Sequence, residues 1–278
     1  MLSIAADAPI AFLSGPHITS DSYIAGALTS GDALLGPLVY RTYQLDPSQL
    51  MASSGVPSIG SPVVITSGIY VGSALTMRAA DTFFLLNTNA QNFKIETCPD
   101  FGTGNTWAVA VNYTSTPLAA ADLVTPIASP VAYNGIRLTV TSTQDGNALF
   151  LAVFNSALLL YQASRGFQKF TPTMMQTSRE VVLADKTTDT AYIYWSDGSF
   201  TLQDMDFSFD LMSAADKAGI EAVINAPDPF LVLVEPGYLP RELYLCKVKP
   251  GSYRPEYSTQ FKGAGYKFPL GLKHMGWL

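Results

Sequence analysis

The sequence predicts a mostly-β protein: a jelly-roll or lectin-like β-sandwich, then an antiparallel β-barrel with one packed α-helix. Three observations predict it. Short β-prone runs separated by turn residues fill residues 62–164. Alternating and continuous apolar runs, with the two-residue period of strands, fill residues 180–272. Apolar residues recur convincingly at helical spacing in one place alone, Ser213–Asn225. With 278 residues, 48% of them hydrophobic, the chain has material for real cores. Its expected division is an extended N-terminal arm or lead-in (1–40), the sandwich (41–164) and the barrel-plus-helix domain (165–278).

Residues 1–40 are rich in Gly, Ser, Ala and Pro, with short apolar pieces such as Ala11-Phe-Leu13 and Ala33-Leu-Leu35. They read as an arm that orders against a partner, or as an edge strand with loops. The sandwich strands are Val63–Thr66, Leu75–Met77, Thr82–Leu86, Asn92–Glu96, Trp107–Tyr113 and Ile136–Val140. Ala148–Phe154 and Ala157–Tyr161 flank Asn155-Ser156, which predicts a hairpin at those two polar residues. The unbroken apolarity of both arms predicts burial on both faces.

A composition change at Arg165–Thr177 marks the domain junction. Beyond it come Glu180–Ala184, Thr190–Trp195 and a turn at Asp197-Gly-Ser199. Next is a half-buried strand in which Met205, Phe207, Phe209 and Leu211 alternate with polar residues. Ser213 with Asp216 makes a capping-box-like helix start. Ile220, Val223 and Ile224 form its apolar stripe, expected to pack on Met205, Phe207, Phe209 and the strand Phe230–Val234. Lys217, Glu221 and Asn225 hold the wet face, and Pro227 and Pro229 stop the helix. Glu242–Val248 and Tyr266–Leu272 complete the strand set.

Composition narrows function. A net charge of −6 argues against sequence-independent grip on nucleic acid. The charged fraction of 14% suits a subunit covered by neighbours, or a lone sandwich. Cys98 and Cys246 lie far apart and read as buried free thiols. The N-terminus lacks a basic region, so no signal peptide is expected, and the longest apolar stretch, 148–161, is too short to enter a membrane as a span.

No chemical motif stands out. Asp204, Asp206 and Asp210 with Ser208 recur at period two along one strand face, where ligands would diverge, so a solvated or interface face is expected in place of a metal site. His17 and His274 are the two histidines, and no nucleophile elbow, Walker loop or dinucleotide fingerprint accompanies them. The expectation is a protein without catalysis or cofactor. Trp107, Tyr113 and Tyr133, with Asn105 and Asn112 nearby, could stack on sugars. The competing reading gives those rings to core and interface packing.

The order of elements in the second half carries a resemblance: paired strands with Asp-Gly-Ser, an alternating strand, a helix opening Ser-Ala-Ala-Asp-Lys-Ala, then Pro-Phe-Leu-Val-Leu-Val, Glu-Leu-Tyr-Leu-Cys-Lys-Val and Tyr-Lys-Phe-Pro-Leu-Gly-Leu. Over Thr177–Leu272 this resembles the β-barrel-plus-helix domain of tailed-bacteriophage tail-tube, distal-tail and minor tail proteins. In the distal-tail proteins the barrel precedes the sandwich, and here the order is reversed. The resemblance implies a structural subunit of a tail tip or baseplate, forming a ring (hexameric by resemblance) around the tail lumen. It would join tail tube to hub, fibres or host-contacting parts of a virion tail assembled in the host cytoplasm. The alternative is a carbohydrate-binding module or adhesin that contacts a host-surface glycan.

Overall fold

A computed structural model describes residues 10–18, 51–53, 55–114, 123–163, 167–183, 191–226, 228–234, 242–258 and 265–275. The first strands are β1 (Ile10–Leu13), β2 (Met51–Ala52), β3 (Val63–Gly68), β4 (Tyr70–Val71), β5 (Ala74–Leu75), β6 (Arg78–Thr88) and β7 (Ala90–Cys98). They are followed by β8 (Ala108–Tyr113), β9 (Leu123–Tyr133), β10 (Gly135–Thr143), β11 (Phe150–Ala157) and β12 (Leu159–Gln162). The rest of the chain gives β13 (Phe167–Leu183), β14 (Ala191–Met212), helix α1 (Ala214–Ile224), β15 (Phe230–Val234), β16 (Glu242–Val248), β17 (Glu256–Ser258) and β18 (Gly265–His274). The fold is mostly antiparallel β with one helix among the described residues.

Two four-stranded sheets, β2-β11-β6-β9 and β3-β10-β7-β8, build the sandwich. Counted along these eight strands, one sheet runs first-eighth-third-sixth and the other second-seventh-fourth-fifth, the jelly-roll order. Alternation explains why they face each other. Phe93, Ile95, Leu138 and Val140 of one sheet meet Phe83, Leu85, Leu151 and Phe154 of the other in one buried cluster. Phe84, Leu86 and Val153 on the opposite faces of β6 and β11 are buried too, against Ala11, Leu13, Leu231 and Leu233. Burial on both faces is the reason these two strands read as unbroken apolar runs.

Four local expectations are corrected. Ile10–Leu13 is neither arm nor edge: it lies between β12 and β15, and all four residues are buried. Asn155-Ser156 is not a turn, because β11 continues through both, paired with Phe84 and Phe83 of β6. Their polarity serves the interior: Asn155 Oδ1 accepts the Ile18 N–H at 2.9 Å and its Nδ2 donates to the Ile18 carbonyl at 2.7 Å, and Ser156 bonds the Tyr133 hydroxyl. Asp197-Gly-Ser199 also lies inside a strand. Gln176 faces Phe200 and Ser178 faces Ser196, so the extra β14 residues form a bulge, and the connection of β13 to β14 falls at 184–190, outside the described residues. Ile224 is half-buried, so the covered helix face is Ile220 and Val223 with Asp216.

Leu123–Tyr133, absent from the expected strand set, is the edge strand β9. It holds Pro126 and Pro130, and an edge is the place in a sheet where proline is tolerated. The compact units are interleaved along the chain: residues 1–166 group with 219–245 and 277–278, and 167–218 group with 246–276. A single cut at 164/165 does not describe that grouping, because the chain returns to the first unit midway through α1 to supply β15. In the second unit β14 pairs with β13 and β18, and Met205, Phe207, Phe209, Phe268, Leu270 and Leu272 are all buried.

The helix start follows its sequence signal. Ser213 Oγ accepts the Asp216 N–H at 3.0 Å, while the Asp216 carboxylate accepts the Ser213 N–H at 3.2 Å and hydroxyl at 2.7 Å. Gly219 sits mid-helix because a Cβ there would lie 2.3 Å from the Tyr161 ring.

Candidate functional site

The outer face of the sheet β3-β10-β7-β8 is a lattice of facing residues. Register aligns Thr66, Arg137, Glu96 and Val109 in one row, and Val64, Thr139, Lys94 and Asn112 in the next. Directly opposed residues in antiparallel strands share a face, so these two rows form one surface. Glu96 sits at its centre, accepting Arg137 Nε at 2.9 Å and Lys94 Nζ at 3.2 Å. Burial pushes its carboxyl up, but the hydrogen bonds and charges of Arg137 and Lys94 outweigh that and hold it below the usual range.

Trp107, the residue before β8, stands at the end of this face. The Arg137 guanidinium carbon lies 4.4 Å from its ring centroid, a cation–π contact, and Phe101 meets it edge-on at 5.9 Å. Phe101 in turn rests on glycine. Gly135 and Gly68 face each other across β10 and β3, and a Cβ on Gly135 would meet Phe101 at 2.6 Å. The 100–106 loop is closed by Asp100, whose carboxylate takes the Cys98 thiol, the Thr106 N–H and the Thr106 hydroxyl, and these bonds hold it below its usual range. Burial and that carboxylate push the Cys98 thiol up to about 11. Trp107 is thus half-buried and fixed in orientation.

The three predicted aromatics do not share a surface. Tyr113 stacks on Phe93 at 5.2 Å and packs against the sandwich core. Tyr133 is fully buried, bonded to Ser156 and to His17 Nδ1 at 2.8 Å, so no ligand on the surface reaches it. Trp107 alone is placed to stack. Its companions Arg137, Glu96 and Lys94 carry no motif in the sequence, although Lys94-x-Glu96 and Arg137-x-Thr139 have the two-residue period that puts charges on one face.

A second feature is a cavity of about 440 Å³ whose walls include the turn Ser14–His17, Arg78 at the start of β6, Leu160 of β12, and Ala226 and Asp228–Phe230 before and into β15. His17 is not in a loose lead-in: it is buried, 3.2 Å from Ser14 Oγ through Nε2. Burial first, and the Arg78 charge second, push its imidazole down to about 3. So weak a base is a poor proton acceptor at neutral pH. The Ser14 hydroxyl is tied into the backbone besides, accepting the Leu158 N–H at 3.0 Å.

The other groups weighed in the sequence lie apart. Asp204 and Asp206 flank the Lys249 ammonium at 3.2 and 3.1 Å on the wet face of β14. Cys98 and Cys246 are buried free thiols. Among the described residues no helix is long and apolar enough to cross a membrane.

No protein-family model matches the chain, and no curated protein matches it. Solved structures similar to it include chitosan-binding module 1 of a chitosanase/glucanase from Paenibacillus sp. IK-5, at 14% identity and TM-score 0.36, covering 47% of this chain and 96% of that one. Module 2 of the same enzyme, in complex with chitotriose, matches at 17% identity and TM-score 0.37, covering 47% and 97%. The family 32 carbohydrate-binding module of C. perfringens NanJ, in complex with galactose, matches at 10% identity and TM-score 0.34, covering 43% and 83%.

Proposed function

We propose that the jelly-roll unit binds carbohydrate on the outer face of the sheet β3-β10-β7-β8, with Trp107 as the stacking ring. The observation that carries this reading is the fixing of a half-exposed indole beside a row of polar groups. Sugars offer an apolar C–H face to an aromatic ring and hydroxyls to amides and charges around it. Asn112, Lys94 and Thr66 supply those polar partners, while Arg137 covers part of the indole and holds its plane. The surface is preorganised, which lowers the ordering cost of binding.

Titration of chitotriose and of galactose into the full chain, followed by tryptophan fluorescence and calorimetry, tests the reading. Trp107→Ala is expected to abolish binding with the circular dichroism spectrum unchanged. Wild-type protein that binds no member of a glycan array overturns it.

A second reading, self-association of the chain, is favoured by one feature of the other unit. Residues 174–183 and 191–202 pair with each other, while β18 pairs with β14 from Asp204 onward. Among the described residues this stretch is a two-stranded ribbon, which is marginal alone, and a neighbouring copy of the chain would add strands to it. Mass photometry showing a strict monomer across the micromolar range sinks this reading.

A further inference from the structure

Arg78 and Asp228 both line the 440 Å³ cavity, both are exposed, and among the described residues neither side chain forms an ion pair or hydrogen bond. Opposite charges held on the walls of one cavity, with no side-chain partner among the described residues, suit a ligand that brings an anion to one and hydrogen-bond donors to the other. The guanidinium presents a planar fork that fits a carboxylate with two parallel bonds. A carboxylate such as that of Asp228 accepts hydrogen bonds from hydroxyls. Pro16, Leu160 and Pro229 give the remaining wall an aliphatic character suited to a carbon skeleton. The volume lies within the range of small-molecule sites.

We propose that this cavity takes a small hydroxylated carboxylate of the size of a uronic acid monosaccharide, its carboxylate on Arg78 and its hydroxyls toward Asp228. The site is separate from the Trp107 face and does not depend on it. Because His17 stays neutral on the cavity wall, Arg78 is the one cation there for an anion to meet among the described lining residues.

Sodium glucuronate, glucose and sodium acetate titrated into the full chain test the proposal, read by calorimetry and by the NMR signals of the His17 ring. Glucuronate is expected to bind in the millimolar range, with glucose and acetate each about tenfold weaker or more, as loss of a charged hydrogen-bonding partner implies. Arg78→Gln should weaken glucuronate by about tenfold or more, with the urea midpoint retained. Asp228→Asn should narrow the gap between glucuronate and acetate. The His17 titration should move up when glucuronate is bound, because the anion offsets Arg78. Trp107→Ala should leave glucuronate binding unchanged while removing chitotriose, so each site can fail without the other. Equal binding of glucuronate and glucose, no binding of glucuronate, or full binding by Arg78→Gln overturns the proposal.

Discussion

The Arg137 guanidinium lies 4.4 Å from the centre of the Trp107 ring while its Nε donates to Glu96 at 2.9 Å, so one side chain ties the indole to the charged centre of the sheet. Trp107 enters just before β8 and Arg137 belongs to β10, with β7 between them in the sheet. The orientation of the Trp107 ring is therefore a property of three strands.

Replacing Arg137 should loosen that arrangement. Arg137→Ala is expected to cost about 1–2 kcal/mol, combining the cation–π contact with a charged hydrogen bond, and, if the Trp107 face binds sugar as proposed, to weaken that binding several-fold. Arg137→Lys keeps the charge but not the planar fork, and should fall between. Urea unfolding and calorimetry check both, and unchanged binding by Arg137→Ala removes Trp107 orientation from the explanation.

Gly135→Ala reaches the same ring from beneath. The new methyl would lie 2.6 Å from Phe101, and Phe101 must shift. Overpacking of this kind costs about 1–3 kcal/mol. The tryptophan emission maximum should move with the urea midpoint. A variant as stable as wild type shows that the loop gives way without strain.

Gly219→Ala sets two principles against each other. Helix propensity alone favours alanine by about 1 kcal/mol. The Tyr161 ring, 2.3 Å from the added Cβ, opposes it and should win, giving net destabilisation. Thermal melting decides the sign. In the same helix, Ile220→Ala should cost about 2–5 kcal/mol and Ile224→Ala clearly less, since Ile220 is fully buried and Ile224 is not. Ser213→Ala should cost about 0.5–2 kcal/mol through loss of the reciprocal cap.

Acid should destabilise the first unit through His17. An unfolded histidine takes its proton near 6.5 and the folded one only near 3, so between those values the unfolded chain holds the extra proton. Stability is fully present above pH 6.5 and falls, as pH drops below it, by up to about 1.4 kcal/mol per unit. Urea midpoints between pH 7 and pH 5 measure the slope, and His17→Gln should flatten it. Arg78→Gln should raise the His17 titration, because it removes a like charge.

Much of the fold was legible because its signals are local. The alternation at Met205–Phe209, the unbroken run Phe230–Val234 and the Ser213–Asp216 cap each depend on residues within a few positions of one another. Legibility failed where a local signal served a distant partner. Asn155-Ser156 has the composition of a turn, yet these residues anchor Ile18 and Tyr133. Asp197-Gly-Ser199 has hairpin chemistry but is absorbed as a bulge by the long pairing of β14 with β13. Of the candidate site, Trp107 was readable as an aromatic near amides. Tyr113 and Tyr133 were grouped with it as aromatics near amides, which says nothing about which side of a sheet a ring takes.

By itself the sequence determined the class, mostly antiparallel β with a helix at Ala214–Ile224, because period and capping are written in neighbouring residues. Only the tertiary structure decided the surfaces. Strand order set Lys94, Glu96 and Arg137 side by side next to Trp107, and return of the chain through β15 brought Asp228 to the same cavity as His17 and Arg78. Those neighbours come from separate strands and distant parts of the chain. Their meeting depends on register and on which sheet faces a strand joins, quantities set by the balance of burial over the whole unit.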